Sequence, residues 1–360
     1  MRDLGIGIGR FPAGPHNAIT DVPGVRVGHA TRIVRTGLGR GRGPVLTGVT
    51  AVVPADGDPI LDRVQAASWV LNGAGELTGR AQIDEWGLCE TPILLTNTLA
   101  VGRVADATVS WLLKKHPAIG KTIDVVIPLV GECDDSWVND SAGRHITEAD
   151  VLAALDGARG GPVTEGCVGA GTGMQTFHFA GGIGTASRKL RVAGVDGCLG
   201  ALVLSNFGER EHLRIDGAPV GKMLSPALSH LPRRGVAGSI IVLCATDLPL
   251  CSRQLGRLCR RGALGIGRAG GYAANNSGEI LFAWSTANRV PRRRPGVPMA
   301  MHFVHDGELN PVFEATVDVV EEAILNAICA GVETRGKQGR VAPELPLQEV
   351  RQLLERRGSR

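Results

Sequence analysis

The sequence predicts a mixed α/β (α+β) protein folded as one domain, with sheets packed on each other and helices outside. Three observations predict it. Strand-like and helix-like stretches alternate in blocks along the chain, a pattern that layered packing satisfies. No internal repeat or low-complexity break interrupts the 360 residues, a length that one large domain can hold. Apolar residues make up 43% and charged residues 21%, as in an ordinary globular protein, so there is enough apolar surface to build a core.

The elements follow in order. Residues 1–30 are rich in Gly and Pro, with short apolar steps such as Ile19-Thr20-Asp21-Val22-Pro23-Gly24-Val25. Thr47 to Val53 reads as a strand. Asp62 to Leu71 has helical spacing, with Val64, Ala67 and Leu71 on one face. Thr91 to Asn97 is a short apolar run, read as a buried strand. Val104 to Lys115 reads as a helix with Pro117 just beyond it, and Ile123 to Val130 is a further apolar run. Thr147-Glu148-Ala149-Asp150 opens a helix with a capping-type start. Residues 157–184 are Gly-rich and irregular. Leu190 to Ser205 alternates in part and then turns solidly apolar. Ser239 to Ala245 is an apolar run behind a serine, the pattern of a central strand buried on both faces. Thr246-Asp247-Leu248-Pro249 reads as a helix start, with Pro where a missing N–H costs little. Ile280 to Trp284 is a strand, Ala315 to Ala330 a strong helix, and Pro346 to Arg356 a last helix behind the polar linker Arg335 to Arg340.

Composition narrows the function. A net charge of +4 is too mild for a nucleic-acid binder, which needs a clustered basic face. The densest basic run, Arg292-Arg293-Arg294 between two prolines, reads as a solvated loop. The eight cysteines include no CxxC pair and several lie inside apolar runs, which fits buried thiols in a reducing compartment. Met1 to Gly14 has no continuous apolar segment of the secretory kind, and no apolar stretch approaches a membrane span. The expected location is cytoplasmic.

Two motifs carry little. Gly265-Ile266-Gly267-Arg268-Ala269-Gly270 fits a dinucleotide fingerprint, but no amphipathic helix follows it and no acidic residue stands at the required distance. The nine histidines form no HExxH and no cluster with cysteine, and His178, between Phe177 and Phe179, reads as a core or loop histidine.

The stretch Arg233-Arg234-Gly235-Val236-Ala237-Gly238-Ser239 is different in kind. By itself a Gly-Ser step before a strand is an ordinary turn. It is also what self-cleavage chemistry needs. Gly238 has no Cβ, so it tolerates unusual backbone angles and leaves its carbonyl open to attack by the next hydroxyl. Rearrangement to an ester and hydrolysis would free a serine whose α-amine lies beside its own Oγ. With a pKa of about 7.7–8.0 that amine is partly neutral near pH 7 and can act as general base. No histidine is then required.

The chain resembles the L-aminopeptidase/D-esterase and β-peptidyl aminopeptidase family of autoproteolytic serine hydrolases along nearly its whole length. The resemblance is carried by Asn17 to His29, Asn72 to Gly79, Thr91 to Thr98, Glu165 to Met174, Gly238 to Val242 and the helix around Glu321 to Ala327, all in the right order. It implies a four-layer αββα sandwich of the N-terminal-nucleophile-hydrolase kind. It also implies a cut at Gly238–Ser239, dividing the single hydrolase domain 1–360 into segments 1–238 and 239–360 that stay together. By resemblance Ser239 is the nucleophile. Ser277 hydrogen-bonds it and orients or relays its proton, and Glu279 fixes Ser277 and holds positive charge nearby. Asn206 donates a side-chain N–H to the oxyanion. Glu132, in the acidic stretch Gly131 to Asp140, fits the position that binds the substrate ammonium. Some relatives use a tyrosine nearby, but the only one here is Tyr272, and no role is carried over to it. Taken alone, Ser277-Gly278-Glu279 is a turn before a strand, Asn206 a strand end and Glu132 part of an exposed acidic loop.

The resemblance implies hydrolysis of an N-terminal residue from short peptides, amides or esters through an acyl-enzyme. It implies no metal or organic cofactor, no nucleic-acid or membrane partner, and a homotetramer of the processed unit. Two rivals stay open. One is an acetyltransferase of the ornithine type with the same self-cleavage chemistry, for which Thr172 after Gly171 would be the nucleophile; no apolar strand follows Thr172 to hold it rigid. The other is an uncleaved binding protein on the same scaffold.

Overall fold

The structure, a computed structural model, describes residues 1–224, 235, 238–293 and 296–358. Arg233, Arg234, Val236 and Ala237 before the expected cut, and Arg294 of the basic run, lie outside the described residues.

The main elements in chain order are β1 (Arg26–Gly39), β2 (Gly43–Val53), β3 (Asp62–Gly73), α1 (Arg80–Trp86), β4 (Leu88–Cys89), β5 (Ile93–Asn97), α2 (Val101–Lys115), β6 (Leu129–Cys133) and α3 (Glu148–Asp156). Then come β7 (Ile183–Val192), β8 (Val195–Asn206), β9 (Gly238–Thr246), α4 (Ser252–Ala269), β10 (Ser277–Pro291), α5 (Asn310–Cys329) and α6 (Leu347–Gly358). One sheet has the order β1-β2-β5-β6, the other β4-β3-β10-β9-β8-β7. Within them only β5–β6 and β9–β10 pair in parallel.

Three apolar clusters define four layers. Val52, Ile93, Leu95 and Leu129 of the smaller sheet meet Leu202, Ile241, Leu243 and Phe282 of the larger one between the sheets. Helices α2 and α3 cover the outer face of the smaller sheet through Val104, Ala107, Val151 and Leu155. Helices α4 and α5 cover the larger sheet through Leu255, Leu258, Val319 and Val320. This is the αββα sandwich.

Strand β9 explains its own sequence. Ile240 and Val242 face the helices while Ile241 and Leu243 face the other sheet, all four fully buried. A strand buried on both faces has no polar side, hence the unbroken apolar run. Each such side chain contributes roughly 1.5–3 kcal/mol relative to exposure.

Three expectations are corrected. Asp62 to Leu71 is strand β3, not a helix: it pairs with β10 from Asp62↔Pro291 to Gly73↔Gly278, and Val64 and Ala66 point into the inter-sheet core at the strand period of two. Thr246-Asp247-Leu248-Pro249 does not start a helix. The Asp247 carboxylate accepts the Cys198 N–H at 2.6 Å, and α4 begins later, at Ser252, where the Gln254 side-chain oxygen in its first turn accepts the Cys251 N–H at 3.2 Å. Arg292 is not solvated: its guanidinium donates to the Ile60 carbonyl at 2.7 Å and pairs with buried Glu90. The GxGxxG match lies inside and at the end of α4, where it forms no phosphate loop. Among the described residues no helix is long and apolar enough to cross a membrane.

Candidate active site

The site forms at one end of the larger sheet, where β8, β9 and β10 lie side by side. Ser239 stands opposite Asn206 on antiparallel β8 and opposite Gly278 on parallel β10. The pleat gives it the same face as Ile241 and Leu243, toward the smaller sheet. Its Oγ donates to the carbonyl oxygen of Gly238 at 2.7 Å and accepts the Gly278 N–H at 3.3 Å. The hydroxyl thus lies against the carbonyl group of the peptide bond that precedes it.

Gly238 could be nothing larger. A Cβ there would stand 2.4 Å from the Asn206 carbonyl oxygen and 2.7 Å from the Phe207 Cα, both backbone atoms. Gly238→Ala must therefore push β9 away from β8. Overpacking of this kind costs about 1–3 kcal/mol, and a lowered Tm is expected; an unchanged Tm would contradict the packing described.

Asn206 ends β8 with its amide held at both ends. Oδ1 accepts the Gln175 N–H at 2.9 Å, and Nδ2 donates to the Asp134 carbonyl at 2.8 Å. Those partners fix which end is nitrogen. An amide nitrogen carries two N–H bonds, and Asp134 takes one.

Ser239 opens into a cleft of about 550 Å³ between the sheet ends, which it shares with Glu132. Glu132 is 3% exposed on edge strand β6. Its Oε1 accepts the Glu76 N–H at 2.9 Å and its Oε2 accepts the Thr98 hydroxyl. Burial pushes its carboxyl above the usual range, and these two hydrogen bonds pull it back. Gly75 lies between the two groups: a Cβ there would be 3.3 Å from Glu132 Oε1 and 3.8 Å from Ser239 Oγ.

Ser277 and Glu279 are hydrogen-bonded to each other, Ser277 donating. In the uncut chain no hydrogen bond joins Ser277 to Ser239. Ser277 and Glu279 follow the pleat onto the face of Leu281, toward the helices, and line a small cavity of about 20 Å³ with Phe207 and Tyr272. What stands opposite Ser277 in the register is Gly238 itself. Burial raises the Glu279 carboxyl, while hydrogen bonds from Ser277 and Asn72 lower it.

The fold thus brings Ser239, Gly238, Asn206 and Gly278 together, puts Glu132 across the cleft, and sets Ser277 and Glu279 behind the strand. Sequence reasoning did not single out Thr98, Glu76, Gly75 or Asn72, although all lie in the stretches that carried the resemblance. Thr172 is buried elsewhere, its hydroxyl donating to the Gly169 carbonyl at 2.6 Å, and it does not line the cleft. Tyr272 donates to Glu209 at 2.9 Å.

Comparison with known proteins agrees with this geometry. The profile of peptidase family S58 matches residues 17–342. A β-peptidyl aminopeptidase, BapA, of Sphingosinicella microcystinivorans is 42% identical over 99% of this chain and 91% of its own. Among solved structures, the PH0078 protein of Pyrococcus horikoshii superposes with a TM-score of 0.94 at 44% identity, covering 99% of both chains. The L-aminopeptidase D-Ala-esterase/amidase of Ochrobactrum anthropi, described as a prototype for the serine aminopeptidases and a new variant of the Ntn-hydrolase fold, superposes at 0.91 with 40% identity over 99% of this chain and 98% of that one. Neither the acetyltransferase nor the binding-protein reading finds support in these likenesses. With a family match across most of its length and the same layered fold as enzymes of that family, this chain belongs to peptidase family S58 and is an aminopeptidase.

Proposed function

We propose that the chain cuts itself between Gly238 and Ser239 and then uses Ser239 to remove N-terminal residues from short peptides, amides or esters. The observation that carries this reading is the Ser239 hydroxyl held 2.7 Å from the Gly238 carbonyl oxygen, in the cleft that Glu132 shares. In the first reaction Ser239 Oγ adds to the Gly238 carbonyl carbon. The C–N bond breaks, the nitrogen takes the hydroxyl proton, and an ester joins the two segments. Water hydrolyses that ester, leaving a Gly238 carboxylate on segment 1–238 and a free α-amine on segment 239–360.

Ser277 and Glu279 act after the cut in this reading. Gly238 occupies the position opposite Ser277 in the uncut chain. Its departure lets the new α-amine meet Ser277, with Glu279 behind to hold positive charge. The amine takes the Oγ proton as Oγ attacks the substrate carbonyl, the second Asn206 N–H receives the oxyanion, and the amine returns the proton to the leaving group. Water then releases the acyl-enzyme. The names of the relatives point to β-peptides as well as α- and D-residues as substrates.

Glu132 receives the substrate ammonium. A hydrogen bond to a charged group contributes about 1.5–3 kcal/mol, so Glu132→Gln is expected to lower kcat/KM roughly 10- to 100-fold. Most of this should fall in KM, with self-cleavage intact on a gel. Steady-state kinetics with an aminoacyl p-nitroanilide decide it, and an unchanged KM removes Glu132 from the role.

The processed unit is proposed to form a homotetramer in the cytoplasm. Val297, Met299, Met301 and Phe303 form an exposed apolar run of the kind that association covers. The eight cysteines are free thiols, as a reducing compartment keeps them.

A further inference from the structure

Thr98 lines the cleft at Ser239 beside Glu132. It follows the last residue of β5 and opens a single turn, Thr98–Ala100, that runs directly into α2. Its backbone is anchored from both sides. Asn97, just before it, donates through Nδ2 to the Thr47 hydroxyl at 2.8 Å, and the helix begins at Val101. Strand β5 pairs in parallel with β6 and sets Thr96 opposite Glu132. Two residues further on, Thr98 reaches the Glu132 carboxylate and donates its hydroxyl proton to Oε2. A β-branched side chain is stiff at χ1, so the hydroxyl stays where the turn puts it.

That hydrogen bond fixes what Thr98 can offer a substrate. A hydroxyl has one proton and two acceptor lone pairs, and an ionised carboxylate can only accept. With its proton committed to Glu132, the Thr98 oxygen has only lone pairs to present to the cleft. Glu132 is equally one-sided. Its Oε1 takes the Glu76 N–H at 2.9 Å and its Oε2 takes Thr98, and a carboxylate with about four lone-pair sites keeps room for further donors. The two residues differ in access, because Thr98 is exposed whereas Glu132 is buried. A donor entering the cleft reaches the Thr98 oxygen more readily than the carboxylate. The negative charge on Glu132 also polarises the hydroxyl that donates to it, which makes that oxygen a better acceptor.

We infer that Thr98 is a second ligand of the substrate ammonium, its Oγ1 accepting one N–H while Glu132 accepts another. The inference rests on the reading that Glu132 holds the ammonium. A primary ammonium carries three N–H donors and no acceptor, which matches two neighbouring oxygens that can only accept. An N-acylated terminus has a single N–H and brings a carbonyl oxygen against the same lone pairs, so it is excluded. Thr98 takes no part in bond making. It binds the amino terminus and orients the residue whose carbonyl Ser239 attacks.

The test is steady-state kinetics on processed wild type, Thr98→Val and Thr98→Ser, with the aminoacyl p-nitroanilide that the wild type hydrolyses. Thr98→Val keeps the shape of the side chain and removes the oxygen. A hydrogen bond to a charged group is worth about 10- to 100-fold in affinity. The lost hydroxyl also frees a lone pair on Glu132, so the expected rise in KM is near the lower end, about tenfold. The ammonium keeps its charge throughout the reaction, so kcat should stay within about threefold, the signature of lost uniform binding. Thr98→Ser restores the oxygen and should return KM to within about threefold of wild type. An unchanged KM in Thr98→Val, a loss that falls in kcat instead, no recovery in Thr98→Ser, or a Thr98→Val chain that stays uncut on a gel overturns the assignment. Glu132→Gln, measured alongside, separates the two levels. If it raises KM and Thr98→Val does not, only the role of Thr98 fails; if neither raises KM, the ammonium is held elsewhere and the reading of Glu132 falls as well.

Discussion

Ser239→Ala chains are expected to run as one band at 37.7 kDa and to hydrolyse no aminoacyl p-nitroanilide. The two losses share a cause in the proposed mechanism, where the same Oγ would be the nucleophile of self-cleavage and of catalysis. They should occur without collapse of the fold. Ser239 makes two hydrogen bonds through Oγ, to the Gly238 carbonyl and from the Gly278 N–H. A typical hydrogen bond contributes about 0.5–1.5 kcal/mol net, and β9 keeps its ladder to both neighbours. A circular dichroism spectrum like that of the wild type should accompany the single band. Ser239→Cys restores a nucleophile at the same position and should recover cleavage in part. Two bands from Ser239→Ala would mean that another group cuts the chain.

Asn206→Ala is expected to lower kcat by about 10²–10³, the loss typical of a removed oxyanion donor. KM should change little, because the contact forms as charge develops on the carbonyl oxygen. Uncut precursor should accumulate too if, as proposed, the same donor also serves the Gly238 carbonyl during processing. Removing this side chain has a structural cost as well. It leaves the buried Gln175 N–H and the Asp134 carbonyl without their present partner. Asn206→Asp separates the two effects. It keeps an acceptor for Gln175 but offers no N–H, so it should lose as much kcat while disturbing the Gln175 turn less. A fully processed Asn206→Ala enzyme with kcat within about threefold of wild type would remove Asn206 from the oxyanion role.

How much of this was legible from the residues depends on how local the signal is. Strand β9 was legible because burial on both faces leaves an unbroken apolar run from Ile240 to Ala245. Helix α3 was legible because its start is written in neighbours: the Asp150 carboxylate accepts both the Thr147 N–H and the Thr147 hydroxyl. Strand β3 was misread because Val64, Ala67 and Leu71 fit a helical stripe, while the partner that makes them a strand, β10, lies two hundred residues away in sequence. Asp247 was misread for a similar reason, since its carboxylate is claimed by the distant Cys198 N–H.

The active site shows the same division. Ser239, Asn206 and Ser277 each look like ordinary loop or strand-end residues, and only the pairing of β8, β9 and β10 brings them side by side. Likeness to a known family supplied that convergence. It did not supply direction. Ser277 and Glu279 face the helices while Ser239 faces the other sheet, because the pleat alternates and the register sets Gly278, not Ser277, opposite the serine.

The central claim is that Ser239 becomes an N-terminus. Intact-mass measurement and N-terminal sequencing of the purified wild-type protein test it most directly. The expected result is two chains, residues 1–238 and 239–360, the second beginning Ser239-Ile240-Ile241. An active enzyme that remains one uncut chain, or a new N-terminus at Thr172, would contradict the account.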